Sequence, residues 1–310
     1  MNTSLLSHIL LFIAGFLFFF FGLNLFRKYL KLISNERLSG ILAKMTTTPL
    51  RGAVFGALVT AAVQSSSAVM VVTIGLVDAG LLRFPQAVGI ILGTNVGTCV
   101  TVQLLGLDFS RFSIPCILWG LFLLFLGKRN AGAALSGFGC IFLGITLITY
   151  ASSPLIYSTY FQAIISTATK RPLGGILIGA VSTAIIQYSS VVIGVIIALS
   201  QHNSIPLSAA VPLVLGSNLG TCFTGVLASI GGTRGAQQAA AAHILLNVLG
   251  IAACIPILDG FVEFVSLTTQ DSALQIANSH TLFNLLSSLL ILPFAKPFAG
   301  LVTAIIPDKR

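Results

Sequence analysis

The chain has 310 residues, of which 56% are hydrophobic and only 7% charged, with a mean hydropathy of +1.02 and a formal net charge of +9. Soluble domains carry about 25% charged residues, so an ordinary globular domain is excluded, and continuous apolar runs instead of short alternating segments exclude a membrane β-barrel. The basic residues lie between apolar segments, where they read as a topology signal and not as a nucleic-acid surface; no nucleic-acid partner is expected.

Residues 5–26 form the first apolar run, long enough for the roughly 20 residues a bilayer requires. No basic stretch precedes it and Arg27, Lys28 and Lys31 follow it. That pattern predicts a retained spanning helix, not a cleaved signal peptide. Residues 27–51 are mixed and basic and predict an amphipathic helix at the membrane surface. From Gly52 to Val63 the chain is apolar or small, Gln64-Ser65-Ser66-Ser67 interrupts, and an apolar run resumes to Leu82. The first arm is too short for a hydrocarbon core of about 30 Å at roughly 1.5 Å of rise per residue. A re-entrant helical hairpin over about 52–82, with QSSS at its tip, satisfies those lengths. The next element, Phe84 to about Leu107, holds Gly93-Thr94-Asn95-Val96-Gly97-Thr98. This predicts a broken transmembrane helix, its unwound backbone facing protein or a wet cavity. A short span at about 112–127 ends at Lys128-Arg129.

The second half replays this order. A span at about 132–153 shares the texture of the first helix, and a linker at 154–172 carries Lys170-Arg171. A second hairpin follows at about 173–203, a second broken helix at about 206–230, and spans at about 236–258 and 275–295. The copies align without a gap from Gly52 and Gly175, so that Gln64 matches Gln187, Ser66 matches Ser189, Asn95 matches Asn218 and Thr98 matches Thr221. A duplicated membrane segment with polar, glycine-marked interruptions in both halves points to a transport site. Three spans per repeat is an odd number, so the second copy enters the membrane upside down. With the N-terminus outside, only Arg111, Lys170 and Arg171 of the 16 Lys and Arg residues fall outside, the bias that sets orientation. The expected fold is an all-α polytopic membrane protein of two inverted-topology repeats, forming a single transport domain over 1–310. Repeat 1 covers 1–129, repeat 2 covers 130–258 and a C-terminal helix region covers 259–310.

The expected cavity offers hydroxyls, amides and glycines, with no evident Lys or Arg for an anion and no carboxylate for a cation. Ser67 and Ser190 fall where the second arm of each hairpin begins. Helix starts present unpaired N–H groups and partial positive charge, which suit an anion. Helix C-termini and unwound carbonyls suit Na⁺, with Gln64, Gln187, Asn95, Asn218, Thr98 and Thr221 as further neutral oxygens. Against this, a single membrane serine usually bonds back to its own helix, but recurrence in both halves favours a site. The spacings Gly52/Gly56 and Gly175/Gly179 predict close helix packing. His243 with Asn247 and His280 with Asn284, each at i, i+4, predict interhelical hydrogen bonds more than proton relays. Asp78 is expected at the interface. The five cysteines show neither metal spacing nor a disulfide framework, and no Ser/His/Asp arrangement suggests an enzyme.

These motifs closely resemble the sodium/phosphate cotransporter family, the type II cotransporters and their bacterial relatives. The resemblance runs from the first helix through the two AxxHxxxN-like segments. It implies Na⁺-coupled uptake of inorganic phosphate across the cell membrane, with Na⁺ as the coupled ion. By position, Gln64, Ser65, Ser66 and Ser67 match the first family motif, and Gln187, Ser189 and Ser190 the second. Asn95, Thr98, Asn218 and Thr221 stand in the broken-helix motif. Tyr188 departs from a strict QSSS, so the two halves need not bind the same ligand. Many bacterial members continue into a helical domain resembling PhoU; the sequence ends at Arg310 with no such domain expected. The residues themselves leave open a symporter of sulfate or a carboxylate, a non-transporting membrane scaffold, and homo-oligomerisation.

Overall fold

A computed structural model describes residues 3–33, 48–107, 109–152, 154, 157–201 and 204–307. These residues are overwhelmingly helical and include no strand. Six helical stretches are long and apolar enough to cross a membrane. They are α1 (Thr3–Ile33), α4 (Phe84–Gly106), α6 (Arg129–Ser152), α10 (Leu207–Ser229), α11 (Arg234–Cys254) running on into α12 (Leu258–Ser266), and α13 (Ser272–Ile291) running on into α14 (Ala295–Ile305). Between them lie shorter helices: α2 (Pro49–Val63) and α3 (Ser66–Asp78), α5 (Ser113–Phe125), α7 (Thr159–Lys170), and α8 (Pro172–Ile186) and α9 (Ser189–Ser200).

The two short pairs break for the same local reason. α2 ends because Gln64 turns into the left-handed region, φ 57°, with its N–H bonded to Thr60 O at 2.7 Å. Extended Ser65 then caps α3, its Oγ accepting the Ala68 N–H at 3.3 Å. In the second pair Gln187 has φ 63°, its N–H bonds Thr183 O, and extended Tyr188 starts α9 without a side-chain cap. A left-handed residue other than glycine is uncommon. Its occurrence at the same position of both copies makes the break a property of the repeat.

The glycines of the long helices serve packing. A Cβ on Gly93 would collide with Ala53 O of α2, and one on Gly216 with Ile176 O of α8, the equivalent carbonyl of the other copy. Contact this close holds α2 on α4 and α8 on α10. Gly52, Gly56 and Gly179 meet the backbone of these same partners, and Gly175 meets Pro212 of α10 and Ala168 of α7, as their spacing predicts. This corrects one expectation. α4 and α10 run as continuous helices through GTNVGT and GSNLGT, and not as broken ones. Gly93 and Gly216 admit a neighbouring backbone without unwinding their own.

α1 and α6 form a second layer, antiparallel, with Gly15 facing Gly144 and Gly22 facing Gly137. Two more boundaries differ from expectation. α1 continues to Ile33, so Arg27 belongs to the long helix; of the expected surface helix at 27–51, residues 34–47 lie outside the described ones. The expected linker at 154–172 contains α7, which buries Ile165 and Ala168.

Candidate functional site

The breaks of the two short pairs meet. Gln64, Ser65, Ser66 and Ser67 from one side, and Ser189 and Ser190 from the other, line one chamber with Thr98 of α4 and Thr221 of α10. Eight of the eleven residues singled out from the sequence therefore share a wall. Three residues not singled out complete it, namely Arg27, Thr101 and Tyr188. The chamber holds about 10 Å³ of free space, room for roughly one water.

The wall has two chemical characters. The first turns of α3 and α9 begin at Ser66 and Ser189, where backbone N–H groups have no partner within the helix and the helix dipole favours negative charge. The Ser65 side chain caps one donor of α3, whereas the Tyr188 side chain caps none of α9, where the Tyr188 carbonyl accepts the Val191 N–H at 3.1 Å. The Arg27 guanidinium joins this donor side, with Nη2 donating to Ser190 Oγ at 2.5 Å. The threonines have the opposite character. Thr98 Oγ1 donates to Thr94 O at 2.8 Å, Thr221 Oγ1 to Asn218 O at 2.6 Å, and Thr101 Oγ1 to Gln64 Oε1 at 2.7 Å. A hydroxyl whose proton is spent in this way can only accept, which suits a cation. Gln64 is fixed further by its Nε2, which donates to Ala61 O at 2.6 Å.

Asn95, Asn218 and Gln187 do not line the chamber. Asn95 is buried between α4 and α11, where its Nδ2 donates to Asn247 Oδ1 at 3.4 Å and its Oδ1 accepts from His243 Nε2 at 3.1 Å. Because that amide oxygen is the acceptor, His243 carries its proton on Nε2. Asn218 Oδ1 likewise accepts from His280 Nε2 at 3.0 Å and from Asn284 Nδ2 at 3.4 Å. The i, i+4 His/Asn pairs are thus interhelical clamps, α11 on α4 and α13 on α10. Gln187 supplies the left-handed turn of the second break.

Arg27 corrects the expectation that no Lys or Arg serves the cavity. Read as a basic residue after the first span, it is in fact carried inward by the continuation of α1. Its signal was spacing: Phe16, Phe20 and Arg27 share a helix face, and Phe20 packs edge-on against Tyr188 at 6.0 Å. Outside the chamber, Asp78 accepts the Thr233 N–H at 2.6 Å, a bond that holds its exposed carboxyl below the usual carboxylate range. A larger cavity of about 550 Å³ opens among the ends of α4, α6, α9 and α13, lined by Thr149, Gln201, Asp271 and Ser272. It contains none of the residues singled out from the sequence.

A family model described as Na⁺/Pi-cotransporter matches residues 18–150 and 154–287. The chain belongs to the Na⁺/Pi-cotransporter family. It is a multi-pass protein of the cell membrane, in a family of transporters. It is 35% identical over 301 residues to "Uncharacterized protein YqeW" of Bacillus subtilis, covering 96% of this chain and 98% of that one. It is 29% identical over 294 residues to "Putative inorganic phosphate export protein YjbB" of Escherichia coli, covering 93% of this chain but 54% of the relative. The chain thus spans about half the length of the latter. A shorter match, 33% identical over 110 residues, reaches "Sodium-dependent phosphate transport protein 2B" of Homo sapiens, covering 33% of this chain and 16% of that protein. No solved structure matches. The family match runs through both copies of the QSSS and GTN motifs, the segments that build the chamber.

Proposed function

We propose that the protein is a sodium-coupled symporter of inorganic phosphate. In this reading the chamber is the substrate and sodium site, and the two short pairs are re-entrant hairpins of two inverted repeats, 1–129 and 130–258. The observation that carries it is the convergence of two helix N-termini and a guanidinium on one chamber, whose threonines are acceptors. An oxyanion suits the donors, and Na⁺ beside it suits Thr98, Thr101, Thr221 and Gln64, each ion offsetting the other's charge. Serine, amide and threonine provide this without carboxylates, whose burial at membrane depth is costly.

Transport follows by alternating access, the hairpins moving against the α1/α6 layer while the chamber opens to one side and then the other. The 550 Å³ cavity at the outer end serves as a vestibule. The test is radiolabelled phosphate uptake into proteoliposomes with and without an inward Na⁺ gradient. Wild type is expected to take up phosphate only with the gradient, and Ser66→Ala to lose most of that uptake while remaining folded. Flux indifferent to Na⁺ would refute the coupling, and transport of sulfate but not phosphate would reassign the substrate.

A second reading concerns direction. The relative matched over 93% of this chain is described as a phosphate export protein, which favours net efflux when internal phosphate is high. Proteoliposomes loaded with labelled phosphate, diluted into phosphate-free medium with Na⁺ equal on both sides, would release label if the cycle runs outward.

A further inference from the structure

We propose that Arg27 is the fixed cation of the anion site, and that in the empty protein Ser190 occupies it in the anion's place. The proposal deepens the transport reading above and rests on it for the identity of the anion.

Four observations converge. Arg27 lines the chamber, and among the lining residues there is no carboxylate to pair with it. Only Nη2 has a partner, the Ser190 hydroxyl; Nε and Nη1 are buried with no hydrogen-bond partner among the described residues. A buried guanidinium with Nε and Nη1 both idle is costly; a tetrahedral oxyanion accepts an Arg fork in a bidentate manner, and each fork pairs Nη2 with Nε or with Nη1, so such binding takes Nη2 from Ser190. The guanidinium lies over the Tyr188 ring, whose centroid is 5.1 Å from Arg27 Cζ, and Tyr188 packs on Phe20. Finally, the free space suits about one water, so an anion cannot enter until wall groups part.

The bond to break is the one between Arg27 and Ser190. It joins α1 to the start of α9, across the boundary between the α1/α6 layer and the second short pair. When the oxyanion takes the guanidinium, Ser190 is released to donate its hydroxyl, with the first N–H groups of α9, to the same anion. Binding thereby replaces a direct protein–protein contact with one bridged by substrate. Tyr188 explains the asymmetry between the copies. Where the first copy has a serine whose side chain caps α3, the second has an aromatic shelf for Arg27 and no side-chain cap on α9, the Val191 N–H being bonded to Tyr188 O at 3.1 Å.

The experiment compares wild type with Arg27→Gln, Arg27→Lys and Tyr188→Ser, using labelled inorganic phosphate and labelled sulfate. Equilibrium binding to purified protein and uptake into proteoliposomes are both measured. Arg27→Gln is expected to raise the KM for phosphate roughly 10- to 100-fold with a smaller change in maximal rate. Tyr188→Ser, which restores the first copy's serine, is expected to raise it several-fold. A fixed cation favours the dianion, so the rise in wild-type affinity as pH converts phosphate from mono- to dianion should flatten in Arg27→Gln. A merely structural role would leave that profile intact. An unchanged KM and pH profile with a lowered maximal rate would overturn the proposal. Should Arg27→Gln fail to fold, Arg27→Lys carries the test, because it keeps the charge and loses the fork. A several-fold rise in its KM supports the proposal and an unchanged value overturns it. If wild type carries sulfate and not phosphate, and Arg27→Gln weakens sulfate, the phosphate reading fails and the Arg27 assignment stands. Neither anion bound or carried by wild type overturns both.

Discussion

Thr101 and Thr224 occupy the same position of the two copies and have different fates. Thr101 Oγ1 donates to Gln64 Oε1, whereas Thr224 Oγ1 is buried without a partner among the described residues. Thr→Val is nearly isosteric, so the pair isolates the value of the bond. Thr101→Val leaves the Gln64 amide oxygen unpaired and is expected to cost about 1–3 kcal/mol, the usual penalty for an orphaned buried acceptor. Thr224→Val removes a hydroxyl that bonds nothing and is expected to be neutral or stabilising. Thermal unfolding of both variants in detergent measures the contrast. Thr101→Val should also raise the Na⁺ concentration for half-maximal uptake, since it removes an acceptor from the chamber wall; Thr224→Val should not. Equal destabilisation by both would mean that the Gln64 bond contributes nothing. The His/Asn clamps belong to the same scale. Asn95 and Asn218 looked like sodium oxygens by motif, and the side chains opposite them, His243 and His280, use those oxygens for holding helices together.

Among elements, packing against backbone carbonyls decides where glycine is required. A methyl at Gly93 would strike Ala53 O and one at Gly216 would strike Ile176 O, whereas a methyl at Gly300 of α14 would meet nothing within 4 Å. Gly93→Ala and Gly216→Ala must push α2 off α4 and α8 off α10, an overpacking cost of about 1–3 kcal/mol. Gly300→Ala is expected to stabilise by up to about 1 kcal/mol through helix propensity. Melting temperatures that fall for the first two and rise or hold for the third would bear this out. The same glycines explain how far the elements were legible in the sequence. The spans were readable because bilayer thickness sets a length, and the break at Gln64 was readable because 12 apolar residues from Gly52 are too few to cross. Gly93 was misread because glycine in an apolar run has two meanings, an unwound turn or a close neighbour, and only the neighbour's position distinguishes them. Arg27 was missed for a related reason. A cation after a span reads as an orientation mark, and Arg27 lines the chamber only because the helix runs on, as α1 does to Ile33.

At the scale of the molecule, the halves are interlocked. α11 clamps α4 of the first copy and α13 clamps α10 of the second, so two helices from the end of the chain fasten both repeats into one body. α9 is the element tied to the α1/α6 layer at both of its ends. Its start is held by Arg27, and near its far end Ala198 O and Gln201 Oε1 accept from Thr149 Oγ1 of α6 at 3.1 and 3.0 Å. The two ties are unequal, because an anion can replace the first and only a shift of the helix can break the second. If the second short pair moves against α6 during transport, the Thr149 tie must open once per cycle. Thr149→Cys with Gln201→Cys, joined through two disulfides by a short bis-methanethiosulfonate in a Cys116→Ser background, tests this directly. The other four cysteines are buried and out of the reagent's reach. Cross-linking is expected to stop phosphate uptake, and reduction of the link to restore it, with each single cysteine variant active throughout. Labelled phosphate binding should survive cross-linking, since the chamber end of α9 is left free. Uptake that continues at the wild-type rate in fully cross-linked protein would mean that α9 and α6 travel together, and would shift the moving boundary to the first short pair.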